Sequence, residues 1–368
     1  MDQEPLNHFR YQSVQDPKEA DAHAWVYKSE TDFGMYYYKH PELEPHEVRA
    51  TILHTGLCLS DSHTGRGKWG GCNYPCCPGH EVISKITHVG SAVTDRKVGD
   101  VVGFNPMRHA CFKCEYCLQG NTNLCLDQDE PRFLYGEHFG GYSTHIQQPA
   151  HHSFKIPEGM NLAEIPPLLC AGLTVFAPLK RFAKPGQTVG VMGIGGLGHL
   201  AVRFASKMGL NVIAFTTSAD KVEGIKALGA SEVIVVDKDY KNLAQHSNRI
   251  HLMINTLPVS NNDILEAYIG TMKCNATFCV VGVPDIKEKL TVQFFTLVMK
   301  QLNIVGSIVG SVNETNEMLQ FSHQHGITSQ NEHFDFEDFP KALDRLENGK
   351  PNFRVVVDTH KYVEKHFK

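Results

Sequence analysis

A chain of 368 residues with 42% hydrophobic and 20% charged residues is long enough for two globular domains of ordinary size. Its formal net charge of −5, with neither sign gathered into a run, argues against general nucleic-acid binding, which needs a basic face. No segment reaches the roughly eighteen unbroken apolar residues of a membrane span. The start, MDQEPLNHFRYQSVQDPKEA, lacks both the apolar core of a signal peptide and the Arg-rich look of a transit peptide. A cytoplasmic, reducing compartment is therefore expected, with the eleven cysteines serving as metal ligands rather than in disulfides.

Residues 1–20 have little periodicity and read as a loose or partly docked arm. Short β-rich pieces follow from Ala24, broken by turns such as HPELEPHE, and VRATILHTGLC alternates as a strand that delivers Cys58 at its end. A Gly- and Trp-bearing loop, GRGKWGGCNYPCCPGHE, leads to His80 and Glu81, after which VISKITHVG and VGDVVGF read as strands. Beyond the stretch CFKCEYCLQGNTNLC, FGGYSTHIQQ resumes the β-rich region. The character changes near Pro166. LLCAGLTVFAPLKRF has helical spacing, TVGVMGIGGLGHLAVRFASKMG reads as strand, glycine turn and helix, and NVIAFTT, EVIVV, HLMINTL, ATFCVVGV and NIVGSIVG supply further strands. Strands alternating with helices predict a parallel sheet covered on both faces. The tail from about Glu314, ending in FRVVVD, is too small to stand alone and is expected to return to the first domain.

Cys111, Cys114, Cys117 and Cys125 form a C-x2-C-x2-C-x7-C run. Two-residue gaps turn successive thiolates inward and the longer return closes a tetrahedron, as a structural zinc requires. In GIGGLG, Gly193 permits a tight turn, Gly195 and Gly196 let backbone approach a pyrophosphate, and Gly198 allows close helix–strand contact. The helix opening there offers free N–H groups to phosphates. At the end of the next strand, AFTTSADK places Thr216, Thr217 and Ser218 where NAD-binding versions carry an acid, with Lys221 beyond. Hydroxyl donors and a lysine at that point predict NADP(H), although Ser218 is also suited to capping the following helix. Local spacing leaves the use of the other cysteines open. Cys72, Cys76, Cys77, Cys274 and Cys279 read as ordinary small or buried residues, and most of the 21 histidines as surface residues.

GLCLSDSH, YPCCPGHE, the four-cysteine stretch, LLCAGLTVF, GIGGLGH and GSIVGSVNETNEML occur in this order. As a set they resemble the zinc-containing medium-chain alcohol dehydrogenases, in the cinnamyl-alcohol-dehydrogenase-like branch, from about Ala24 to Asp358. The resemblance implies a GroES-like, β-rich catalytic domain (1–171 with 313–368) and a Rossmann domain (172–312) that binds NADP. It also implies two zinc ions per chain. Cys58, His80 and Cys170 match the catalytic ligands, leaving one position at the metal for an alcohol or aldehyde. Glu81 matches a neighbouring acid that can approach the metal, Ser60 the hydroxyl that takes the substrate proton, and His63 the outer end of that relay. Asp61 matches a carboxylate that orients a ligand, and Thr174 and Leu197 join the cofactor residues. Leu59 departs from the family's His or Arg, removing a phosphate-facing cation. A homodimer joined near residues 292–310 is implied, and Trp69, Tyr74 and the loop around Phe133–His138 are candidates to line the substrate pocket. The competing expectation is a catalytically quiet member serving as a subunit of an assembly.

Overall fold

A computed structural model describes residues 11–70, 72–127, 132–134, 138–258, 261–283, 286–349 and 351–367. The chain first builds a small antiparallel sheet, ordered β1-β3-β2, from β1 (Gln12–Ser13), β2 (Ala22–Tyr27) and β3 (Phe33–Lys39). The arm is thus docked over its described part. Tyr11 is buried with its ring stacked 4.3 Å from that of Phe139, and β1 pairs with β3, while residues 1–10 lie outside the described residues.

Next come β4 (Glu47–Leu57), α1 (Leu59–Gly65), β5 (Glu81–Val89), β6 (Val101–Phe104), α2 (Glu115–Leu118), β7 (His145–Pro149) and β8 (Ser153–Lys155). Strand β4 is the spine of this unit. Its alternate residues Val48, Ala50 and Ile52 are buried with Val82, Ile86, Val102, Phe104 and Ile146, while β5 pairs along one edge and β7 along the first half of the other. Period-two burial of apolar residues is what a half-buried strand needs.

A second unit follows: α3 (Ala171–Phe182), β9 (Thr188–Met192), α4 (Gly198–Lys207), β10 (Asn211–Thr216), α5 (Val222–Ala227), β11 (Glu232–Val235), β12 (Ile250–Asn255), α6 (Asn262–Gly270), β13 (Met272–Val280), α7 (Phe294–Lys300) and β14 (Asn303–Gly306). Its six strands are all parallel, in the order β11-β10-β9-β12-β13-β14. The order reverses between β9 and β12, which is where an open α/β sheet offers a crevice at its carboxyl edge.

The chain then forms α8 (Val312–His325), β15 (Asn331–Asp335), α9 (Phe339–Glu347), β16 (Arg354–Asp358) and α10 (His360–His366). Strand β16 runs antiparallel to the second half of β4, completing the first unit's seven-stranded sheet. The first unit comprises the chain to Cys170 with Ser311–Leu319 and Thr328 onward; the second comprises Ala171–Gly310 and Gln320–Ile327. Among the described residues no helix is long and apolar enough to cross a membrane.

Candidate active site and metal centres

The four-cysteine stretch closes on itself. Cys111, Cys114, Cys117 and Cys125 bring their sulfurs within 4.8 Å of one another, and the Cys111–Cys117 and Cys114–Cys125 separations are each 4.0 Å. Four thiolates at about 2.3 Å from a tetrahedral metal lie about 3.8 Å apart, so the donor set fits zinc. Backbone N–H groups point at the sulfurs: Cys111 N–H donates to Cys125 Sγ and Cys114 N–H to Cys111 Sγ, both at 3.3 Å. Amide donation from Leu126 and Cys117 lowers the Cys114 thiol to about 6, and such donation stabilises a thiolate.

A second cluster is assembled from three separate places in the chain. Cys58 leaves the end of β4, His80 and Glu81 stand at the start of β5, and Cys170 immediately precedes α3; one ligand atom from each lies within 4.8 Å of all the others. Two thiols, an imidazole and a carboxylate are ligand types that zinc accepts. The buried Asp61 organises them. Its Oδ1 accepts from His80 Nδ1 at 2.8 Å and Gly79 N–H at 2.9 Å, and its Oδ2 accepts from Cys58 N–H at 3.0 Å and the Tyr142 hydroxyl at 3.2 Å. The carboxylate on Nδ1 fixes the tautomer that leaves Nε2 available to a metal.

Glu81 is buried and paired with Arg354, itself buried at the start of β16. Burial pushes the Glu81 carboxyl up to about 7, with the guanidinium working against it. The Ser60 hydroxyl donates to Cys58 Sγ at 3.0 Å, so it reaches the cluster itself. His63, one turn further along α1, lines a hollow of about 420 Å³ with Leu59, Arg66, Lys68 and Glu347. In this hollow Arg66 is committed to Glu347 through two 2.8 Å bonds, and Leu59 is 48% exposed.

In the second unit the glycine turn joins β9 to α4. Gly193 has φ +88°, and a Cβ on Gly198 would fall 1.9 Å from the Gly193 carbonyl oxygen, so both positions need glycine. A Cβ on Gly195 would meet nothing within 4 Å, which leaves open space beside the backbone, as a pyrophosphate would need. Leu197 stands at the head of α4, and Thr174 is buried in α3. Thr216 ends β10; Thr217 and Lys221 are exposed and Ser218 is partly so. The Ser218 side chain makes no capping bond to the short 3-10 turn Ala219–Lys221, which already contains Asp220.

These sites sit in a chain whose residues 44–158 match the alcohol dehydrogenase GroES-like domain and whose residues 196–324 match the zinc-binding dehydrogenase domain. The chain belongs to the zinc-binding alcohol dehydrogenase family. An aldehyde reductase of Escherichia coli, YahK, is 37% identical over 85% of this chain and 91% of its own length. A cinnamyl alcohol dehydrogenase of Sorghum bicolor superposes with a TM-score of 0.83 at 29% identity, covering 92% of this chain and 98% of that one. The cinnamyl alcohol dehydrogenase of Helicobacter pylori, solved in complex with NADP(H), gives 0.81 at 29% identity with the same coverage. The β-rich unit of this alcohol dehydrogenase is accordingly GroES-like and its parallel-sheet unit Rossmann-like, as the resemblance implies.

One expectation for this dehydrogenase needs correction. Cys72 and Cys76 are not ordinary core residues but are joined as a disulfide. Five histidines, His23, His80, His138, His152 and His199, are buried, and the other described ones are partly or fully exposed, as expected. Tyr74 turns its hydroxyl to the Gly65 carbonyl at 2.9 Å, and the Trp69 ring lies against His63, centroids 5.2 Å apart. Of the loop around Phe133–His138, residues 135–137 lie outside the described residues, and His138 is buried. Arg354 and Tyr142 went unread in the sequence. Arg354 did leave a signal, a lone cation opening the apolar run RVVVD, whereas Tyr142 left none.

Proposed function

We propose that this alcohol dehydrogenase is a zinc-dependent, NADP-linked enzyme that interconverts a primary alcohol and its aldehyde. The observation that carries the reading is the junction of Cys58, His80 and Cys170 with the Ser60 hydroxyl 3.0 Å from Cys58 Sγ. Cys58, His80 and Cys170 are the catalytic zinc ligands, with Glu81 held beside them by Arg354, and Cys111, Cys114, Cys117 and Cys125 hold a structural zinc. When bound at this cluster, zinc supplies Lewis acidity toward an alcohol or carbonyl oxygen. When bound at the glycine turn, NADP(H) supplies the hydride chemistry.

The chain's own residues do the rest. Asp61 holds His80 in one tautomer and orientation. Ser60 Oγ takes the substrate hydroxyl proton during oxidation and returns it during reduction. His63, which lines the hollow, is the outer member that passes the proton to water. Gly193, Gly195, Gly196, Leu197 and Gly198 accept the pyrophosphate at the head of α4, with Thr174 among the cofactor contacts. Thr216, Thr217, Ser218 and Lys221 accept the 2′-phosphate, since no carboxylate stands at the tip of β10 to repel it.

A homodimer is part of the same reading. Along α7, which packs on β13 and precedes the edge strand β14 in the chain, Phe294 is 86% and Phe295 75% exposed, with Val298 and Met299 also turned outward. An apolar face of this kind beside an open sheet edge is suited to a second copy. A cytoplasmic location accords with the many free thiols. The proposal is tested by turnover of an aldehyde panel with NADPH and with NADH. NADPH is expected to give the higher kcat/KM, and Thr216→Asp is expected to move the preference toward NADH. Higher efficiency of the wild type with NADH would overturn the cofactor assignment; no turnover with either, at full zinc content, would overturn the activity.

A further inference from the structure

The segment between α1 and β5 carries two sulfurs for which the proposed reaction has no use. Cys72 and Cys76 form a disulfide with their Cα atoms 6.5 Å apart, and it is the sole disulfide among the described residues. The two sulfurs occupy different surroundings. Cys76 is fully buried, and its backbone is clamped to Tyr27 of β2 by two hydrogen bonds of 2.8 Å, one in each direction. Cys72 is partly exposed and lies next to the exposed Asn73. One cysteine is therefore fixed inside the core, while its partner sits at the margin of that core and is partly open to solvent. The adjacent Cys77 is no substitute for either: it is fully buried, its Sγ directed at the Gly140 carbonyl at 3.7 Å, and burial pushes its thiol far up from the ordinary range.

The pairing also closes a short loop, with only four residues of sequence separation. Loop-closure stabilisation grows with the length of chain enclosed, so this bridge gains little of the resistance to reduction that long-range structural disulfides enjoy. Disulfides that solvent thiols can reach are the ones that exchange.

We propose that Cys72 and Cys76 are a reversible dithiol–disulfide site that exchanges with low-molecular-weight thiols and disulfides, entered through the Cys72 sulfur. In the oxidising direction the Cys72 thiolate attacks one sulfur of a disulfide RSSR, forming a Cys72–SR mixed disulfide and releasing RS⁻. The Cys76 thiolate then attacks the Cys72 sulfur, forming the intramolecular bond and releasing the second RS⁻. Two protein thiols lose two electrons, RSSR gains them, and the two protons leave on two RSH molecules. Excess RSH runs the sequence backward, beginning with attack on the sulfur of the partly exposed Cys72. Attack there rather than at Cys76 follows from burial, because the rate of exchange depends on access to the sulfur.

The test uses the full-length, zinc-loaded protein, equilibrated with mixtures of reduced and oxidised glutathione, quenched in acid, alkylated and digested with trypsin. Cleavage after Lys68 and Lys85 isolates one peptide carrying Cys72, Cys76 and Cys77. The ratio of paired to open peptide is expected to change about tenfold for each tenfold change in the ratio of oxidised glutathione to the square of reduced glutathione. The same curve should appear from either starting state, with zinc content unchanged. In Cys76→Ser, which lacks the resolving sulfur, oxidised glutathione should leave a stable mixed disulfide on Cys72; Cys77→Ser should titrate like the wild type. Cys72 and Cys76 remaining fully alkylated at every ratio, or fully paired in excess reduced glutathione, would overturn the proposal. So would a mixed disulfide that forms on Cys77 instead of Cys72.

Discussion

The two metal clusters of this dehydrogenase are built by opposite routes. In the four-cysteine lobe all four candidate ligands fall within fifteen residues, and the same short backbone that supplies the thiols also points its N–H groups at them. The other candidate cluster collects Cys58, His80 and Cys170 from the end of one strand, the start of another and the approach to a helix, with the buried Asp61 bonded to His80 and to Cys58 N–H and Arg354 paired with Glu81 beside them. Among the described residues the lobe's cluster consists of the four cysteines, whereas the second cluster includes Glu81 and has the Ser60 hydroxyl on Cys58 Sγ. The first arrangement suits a metal that ties down a loop; the second suits one that must exchange a ligand. Removing a ligand should therefore cost folding in one place and chemistry in the other.

The largest effect is expected at the lobe. Structural zinc contributes on the order of 10 kcal/mol to folding in small zinc modules, so Cys114→Ser should yield insoluble or protease-sensitive protein, read by soluble yield and limited proteolysis. A well-folded, protease-resistant Cys114→Ser protein would erase the distinction between the two clusters. At the second cluster Ser60→Ala should lower kcat by about 10²–10⁴-fold with little change in NADPH affinity. His63→Ala should cost less, because water replaces an outer relay member. Equal, near-wild-type turnover in both variants would remove the relay.

A smaller effect is expected from Asp61→Asn, which keeps the shape but weakens the grip on His80 and should lower zinc affinity at this cluster by about 10–100-fold. Chelator competition should then strip one zinc early and leave the lobe's zinc as in the wild type; simultaneous loss of both would mean the clusters are not independent. The smallest effect concerns pH. Burial, with His145, Arg49 and His88 nearby, lowers the His40 imidazole to about 2, and burial lowers that of His145 to about 4. Both are neutral in the fold, while the unfolded chain takes up protons below about pH 6.5, so stability should fall as pH drops below that value. The thermal midpoint is expected to decline between pH 7 and pH 5, and His40→Gln should flatten the decline; an unchanged slope in that variant would remove His40 from the account.

How much of this could be read from the residues follows from the same contrast. The lobe was legible because its spacing is its geometry, and the glycine turn because Gly193 has a positive φ and Gly198 must clear the Gly193 carbonyl five residues away. β4, β9, β10 and β12 announced themselves through apolar alternation or apolar runs. The second cluster could not be read from spacing, since His80 lies 22 residues from Cys58 and Cys170 a further 90 along the chain; only family resemblance singled those residues out. Arg354 and Tyr142 were missed because what they do depends on the antiparallel seating of β16 on β4 and on a hydroxyl reaching Asp61 from another loop. The Cys72–Cys76 pairing was missed because the expectation of a reducing compartment argued against any disulfide.

The most direct test of two separable metal centres is zinc stoichiometry in the wild type and in Cys170→Ser, measured on the same preparations as far-UV circular dichroism and turnover. Two zinc ions per chain are expected in the active wild type. One zinc, an unchanged spectrum and no turnover are expected in Cys170→Ser. One zinc or none in fully active wild type, or loss of both zinc ions together with the fold in Cys170→Ser, would contradict the account.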